Sequence, residues 1–468
     1  MTSVVHFDTI DSVLVLTYFA LVVIIGFRAS RKSKNNSEDF LLAGRTLTLP
    51  MFVATLVSTW YGGILGVGEF SYTYGISNWV VFGVPYYIFA LVFALFLAKR
   101  VRATGLFTVP DKLEQAYDRK TAVLGSVLTF FLVTPAAYIL MLGVLVQLMF
   151  GLSLTTSILL TTFLTLCYLY SGGFRSDVWV NTFEFVMMFL GFALILPFAW
   201  SKFGGFEFIR ANVPPMHLTW HGGNTWQFIA VWFFIALWTL VDPAFHQRCY
   251  AAKDEKTAQR GILVSILFWF CFDFLTSMTG LYARAALPDL KEPMFSYPML
   301  AELTLPSVAK GLFYIGMLAT IMSTLSSLSL ISAITVGKDI VGRFVQAEEK
   351  FAVVKKWTNI GLILSGVLSV VLALMVPSVV RIWYTVGTCI VPGLLVPLLA
   401  SYFEKLRIPA RFAFTAMLCG WGVSTVSLVY GRINSLSQAP QYLLGIEPMY
   451  PGLLVSLLVW GAGKFARE

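Results

Sequence analysis

From residue 8 to residue 463 the chain repeats one pattern, an apolar run of about 20 residues followed by a short connection. Such runs are long enough to cross a lipid bilayer as helices. Thirteen are read, at 8–28, 48–72, 77–98, 121–150, 154–170, 177–200, 225–247, 258–284, 307–336, 354–376, 379–402, 409–430 and 448–463. In hydrocarbon a backbone N–H or C=O finds no water, so each run must satisfy its own hydrogen bonds as a helix. With 58% hydrophobic and only 12% charged residues, the chain suits lipid as its main solvent. The expected fold class is an all-α membrane protein, a single integral domain over residues 1–468.

The net charge of +9 would suggest nucleic acid in a soluble protein, but 26 of the 33 Lys and Arg residues fall in alternate connections. The first such connection carries Arg28, Arg31, Lys32 and Lys34. Basic connections stay in the cytoplasm, so the N-terminus is expected outside, the C-terminus inside, and the protein in a plasma or inner membrane. No nucleic-acid partner is implied, and no obligatory protein partner is evident. The Asn35-Asn36-Ser37 glycosylation sequon would face the cytoplasm. Cys167, Cys249, Cys271, Cys389 and Cys419 stand singly, without CxxC or nearby His, and read as packing residues. The first apolar run lacks a basic leader and a small-residue cleavage site, and is read as a retained span.

Two spans carry residues unsuited to a continuous helix. The second reads Ser58-Thr59-Trp60-Tyr61-Gly62-Gly63 and the seventh Trp238-Thr239-Leu240-Val241-Asp242-Pro243. Both are expected to break. They lie five spans apart, so they enter the membrane in opposite directions, as an inverted repeat of five plus five helices requires. Simple kinking of Gly- and Pro-containing helices is the other reading.

Polar residues at membrane depth are few. The ninth span crowds Thr320, Ser323, Thr324, Ser326, Ser327 and Ser329 into three turns, a set of hydroxyls that fits either a sodium ion or close helix packing. Glu69, Glu184, Asp242 and Asp273 are carboxylates at or near membrane depth, where each is costly and so a functional candidate. Asp242, beside the break, is the best placed. His246 and Arg248 follow that break and are expected to mark the cytoplasmic boundary. No nucleophile elbow, acid–base carboxylate pair or zinc motif is present, so the chain is not read as an enzyme.

The chain resembles the sodium:solute symporters. Asn36-Ser-Glu-Asp-Phe-Leu-Leu-Ala-Gly-Arg45 is similar to the family's segment after its first span, and Thr108-Val-Pro-Asp-Lys-Leu-Glu114 to the one after its third. Tyr170-Ser-Gly-Gly-Phe174, the stretch Asp242 to Arg260 with Gln247-Arg248 and Ala252-Lys253, and Met322-Ser-Thr-Leu-Ser-Ser327 through Asp339 follow in the family's order. The resemblance implies the leucine-transporter fold: one extra N-terminal helix (8–28), repeats at 48–200 and 225–402, and two C-terminal helices (409–463). It implies a sodium site made by carbonyls of Leu56 and Thr59, hydroxyls of Ser323 and Thr324, and the carbonyl of Thr320. A second site in some members would fall on Asn181, Glu184, Ser326 and Ser327. Asn181 stands where those members have Asp, which argues for one sodium, with Glu184 a substitute carboxylate. Pro243 replaces a common Gln, and Gly63 stands where a sugar carrier has Gln, which argues against sugar.

The expected function is symport of a small organic solute with co-transported sodium, by alternating access. The solute is expected against Trp60, Tyr61, Gly63, Trp238 and Asp242, since aromatic faces and a lone carboxylate favour an amino acid or other amine. A proton-coupled carrier using Asp242, Glu69 or Asp273 is one alternative, a transporter-like sensor or channel another.

Overall fold

The computed structural model describes residues 5–31, 36–345, 350–376, 378–434, 442 and 445–466, with backbone alone at Tyr168, Tyr170, Ser171, Gly172 and Lys350. Lys32, Lys34 and Asn35 lie outside that set. Among the described residues the regular structure is helical, with one isolated bridge between Leu47 and Ala252. We label thirteen apolar segments in chain order: α1 (Thr9–Ser30), α2 (Leu49–Trp60 with Ile64–Tyr74), α3 (Trp79–Ala103), α4 (Arg119–Phe150), α5 (Leu154–Cys167), α6 (Gly173–Phe203), α7 (Trp226–Ala251), α8 (Glu255–Ala286), α9 (Ala309–Phe344), α10 (Phe351–Met375), α11 (Val379–Ser401), α12 (Ala410–Ile433) and α13 (Met449–Phe465). Ten are helical segments long and apolar enough to cross a bilayer, α4 and α7 counted through their breaks, and the bent pair of α2 makes eleven. α13 is a shorter apolar helix, and α5 runs on in helical backbone up to the turn at Gly173.

Both expected breaks are present. α2 bends by 61° between Trp60 and Ile64, where Tyr61, Gly62 and Gly63 leave the helix. In α7 the backbone turns extended at Asp242 (φ −63°, ψ 119°), whose side chain accepts the N–H groups of Ala244 and Phe245 while Pro243 starts the next helix. An Asp cap followed by Pro at the first helical position is a strong local signal for starting a helix. Two features differ from expectation. No loop separates α5 from α6; the chain turns at Gly173 (φ 53°) without leaving helix on either side. α4 has a break of its own at Val133–Pro135.

α9 is the axis of the molecule, its most apolar 18-residue stretch entirely buried, whereas the corresponding stretch of α1 is 28% buried. α6 crosses α9 at Gly191 and Gly316, where a Cβ on either would come within 2.9 Å of the other's Cα. Small residues allow that approach, and dispersion forces then hold the pair. α1 adds a tie: Asp11, fully buried, accepts the N–H groups of Val308 (2.8 Å) and Gly311 (3.0 Å) at the start of α9. It thereby supplies a cap from another helix.

At the basic end, a short helix Val109–Ala116 is tied to the end of α9. Asp111 receives Lys338 at 2.5 Å and Arg343 at 3.4 Å, and Asp339 accepts the Thr108 hydroxyl at 2.6 Å.

Candidate functional site

The end of the first half of α2 leaves carbonyls without helical partners. Those of Ser58 and Thr59 are met by α9: Ser323 Oγ donates to Ser58 O at 3.0 Å, and Thr324 Oγ1 to Thr59 O at 2.7 Å. Ser323 Oγ also lies 3.0 Å from the Thr320 carbonyl. Five oxygens from two helices therefore converge where hydroxyls and orphan carbonyls were expected together. Leu56 is buried on the same helix, one turn earlier, where carbonyls are still taken within the helix.

Next to this cluster lies a second, wholly buried one. Asp177 Oδ1 accepts from Ser326 Oγ (2.8 Å) and its Oδ2 from Ser327 Oγ (2.8 Å). Asn181 donates to Ser327 Oγ at 2.8 Å, and Arg248 Nη2 reaches Ser327 Oγ, Thr59 Oγ1 and Asp177 Oδ2 at 2.7, 2.8 and 3.2 Å. The carboxylate that Asn181 lacks is supplied one turn earlier, by a residue the sequence reading passed over. Its spacing to Asn181 and Glu184, i, i+4 and i+7, sets all three on one helix face. Glu184 points elsewhere, accepting the Tyr18 hydroxyl of α1 at 2.9 Å. His246 and Arg248 are both fully buried in the protein, which their place after the break did not show.

Beside the break of α2 is a cavity of about 140 Å³, lined by Trp60, Tyr61, Gly63, Trp238 and Asp242, the residues expected there. Thr59 and Thr324 border it, which joins it to the first oxygen cluster. Trp60 stands edge-to-face to Tyr86 at 5.5 Å and to Phe245 at 5.0 Å, an arrangement that fixes its ring. Asp273, unplaced from sequence, also lines the cavity; its Oδ1 accepts the Tyr61 hydroxyl at 2.5 Å and its Oδ2 the Tyr87 hydroxyl. Its partners come from α2 and α3, so nothing in its own helix could have revealed them. Leu132, Val133 and Tyr138 reach the cavity because α4 breaks beside it.

Away from the basic end opens a vestibule of about 1460 Å³, on which Glu69 lies. Trp232 lines both volumes. The Trp383 ring lines the inner cavity and packs on Gly66, which lines the vestibule. One layer of rings thus separates cavity from vestibule.

Comparison with known proteins gives a consistent result. The sodium:solute symporter family model matches residues 40–420. The chain is 26% identical over 482 residues to the sodium/pantothenate symporter of Escherichia coli, covering 95% of this chain and 94% of that protein. It is 23% identical over 399 residues to the high-affinity choline transporter 1 of Drosophila melanogaster, covering 79% of this chain and 63% of that protein. A solved structure of a Na+-coupled sialic acid symporter, substrate-bound and outward-open, superposes with a TM-score of 0.81 at 17% identity, over 98% of both chains. That likeness shows the fold, which is the leucine-transporter fold.

Proposed function

Because the chain belongs to the sodium:solute symporter family, we propose that it is a secondary active transporter coupling sodium entry to uptake of a small organic cation, an amine in chemical class. The observation that carries this reading is the cavity wall. Among the described residues it holds two carboxylates, Asp242 and Asp273, a set of aromatic faces, and no Lys, Arg or His. A cavity of that charge at membrane depth calls for cations, and aromatic faces attract them through the ring quadrupole. Trp60, Tyr61, Gly63, Trp238 and Asp242 bind the solute in this reading.

Sodium binds to the carbonyls of Thr59 and Thr320 and the hydroxyls of Ser323 and Thr324, with the Leu56 carbonyl joining as the helix end loosens. Oxygen ligands of this kind suit a hard cation. Because Thr59 and Thr324 border the solute cavity, sodium and solute each favour the conformation the other binds, which is coupling. A sodium and a monocationic solute together carry two charges, so 100 mV supplies about 4.6 kcal/mol.

In the same proposal the basic end faces the cytoplasm, with the N-terminus outside and the C-terminus inside a cell membrane. Residues 48–200 and 225–402 are the inverted repeats, 8–28 the extra helix and 409–463 the C-terminal pair, thirteen spans in all. The partners are sodium, the solute and the bilayer; the protein is a carrier and not an enzyme.

Uptake of labelled amines, neutral solutes and organic anions by proteoliposomes tests the reading. Amine uptake driven by an inward sodium gradient, and lost when potassium replaces sodium, is expected. Uptake that follows a pH gradient irrespective of sodium overturns it in favour of proton coupling.

A further inference from the structure

One buried cation has no part in that reading. Arg248 lies in the second half of α7 with no exposed surface, and its Nη2 is shared by Ser327 of α9, Thr59 of α2 and Asp177 of α6. Around it stand a carboxylate and several hydroxyls, the oxygen set an alkali cation takes. The guanidinium fills that role here, with its Cζ 5.1 Å from the centre of the Phe174 ring. An isolated charge so deep would be strongly destabilising, so Arg248 and Asp177 each depend on the other.

The location of the pair matters as much as its chemistry. Arg248 stands beyond the Asp242 break, six residues along the half of α7 that runs to the basic end. In inverted-repeat carriers one group of helices, the broken ones included, moves against the rest. A link from the far half of a broken helix to α6 and α9 must then part for that end to open.

We propose that Arg248 is a tethered cation: it occupies the oxygen cage of Asp177, Ser326 and Ser327 where a second alkali ion could bind, and it latches the basic half of α7 to α6 and α9. The latch releases and re-forms in each cycle without its charge crossing the membrane. One free sodium is therefore bound per protein. The sodium count rests on the symport reading; the latch does not.

Cys249, next to Arg248 and fully buried, reports the latch. With Cys167, Cys271, Cys389 and Cys419 changed to Ser, maleimide labelling of Cys249 is measured in nanodiscs, in sodium and without solute. Arg248→Met with Asp177→Asn removes both buried charges together, and is expected to raise the labelling rate at least tenfold. Arg248→Lys, which keeps the charge but loses the fork of donors, is expected to raise it less, and stands in if the double variant does not fold. Unchanged labelling in a folded variant overturns the latch.

Binding of 22Na+ by scintillation proximity reads the cage. The parent is expected to bind one sodium, Arg248→Met two, and Arg248→Met with Asp177→Asn one again. A parent that binds two sodium ions, or an Arg248→Met variant that folds and still binds one, overturns the tethered cation. Absence of sodium binding and of sodium-driven uptake in the parent overturns the symport reading instead, and leaves the labelling result standing.

Discussion

A Cβ on Gly62 would fall 2.1 Å from the Thr324 Oγ1, so the break of α2 meets α9 with no room for a methyl group. Gly62→Ala must push the break away from α9 and spread the oxygens of Ser58, Thr59, Ser323 and Thr324. Sodium affinity is expected to fall at least about tenfold, equivalent to about 1.4 kcal/mol. Sodium-dependent thermal stabilisation measures it. Gly422→Ala, where a Cβ would meet nothing within 4 Å, should change nothing.

Asp242 has two duties that substitution can separate. One oxygen caps the second half of α7, a role Asn also fills. Asp242→Asn should therefore keep the fold and raise the KM for a cationic solute about 10- to 100-fold, the worth of a charge-assisted contact. Asp242→Ala should lose that and about 1 kcal/mol of stability with the cap. Uptake kinetics beside thermal melts of both variants distinguish the two.

These two residues also show how far the sequence can be read. Gly62 and Asp242 were legible because breaks are written locally, in Gly pairs and in an Asp-Pro cap. The hydroxyls of α9 were legible as a cluster on one helix. Arg248 was not, since a basic residue near the end of a span ordinarily marks the membrane boundary, and only packing shows this one buried. Asp177 stands at the first residue of the sixth span, two residues from Arg175, where a carboxylate draws no notice as one at membrane depth. Asp273 meets Tyr61 and Tyr87, which are distant in sequence, and pairing across helices leaves no local pattern.

Asp273 is expected to act through Tyr61. Asp273→Asn replaces an anionic acceptor with a neutral one and loosens the Tyr61 ring against the cavity. Solute KM should rise while the sodium concentration at half-maximal binding stays within about twofold, since the oxygen cluster on α9 is not part of that contact. Paired solute and sodium titrations of the variant give the comparison.

Asp111 predicts an acid limit on stability. Burial opposes its charge, but the Lys338 ammonium and Arg343 guanidinium outweigh burial and hold its carboxyl below the ordinary carboxylate range. A carboxyl depressed on folding contributes stability in full above its unfolded value, near 4, and loses it as pH falls through the folded value. Melting temperature should drop on acidification below about pH 4. Asp111→Asn should cost about 1–3 kcal/mol at neutral pH and flatten that acid drop.

The cap that Asp11 places on α9 bears on how the protein is made. Its partners, Val308 and Gly311, lie about 300 residues further along the chain, so α1 is synthesised long before its carboxylate has anything to bind. A carboxylate without its partners is costly to bury, so the first helix is expected to complete its seating only once the ninth arrives. A chain cut before residue 308 should leave α1 loosely inserted and open to extraction, a defect of assembly that no measurement on the finished carrier would reveal.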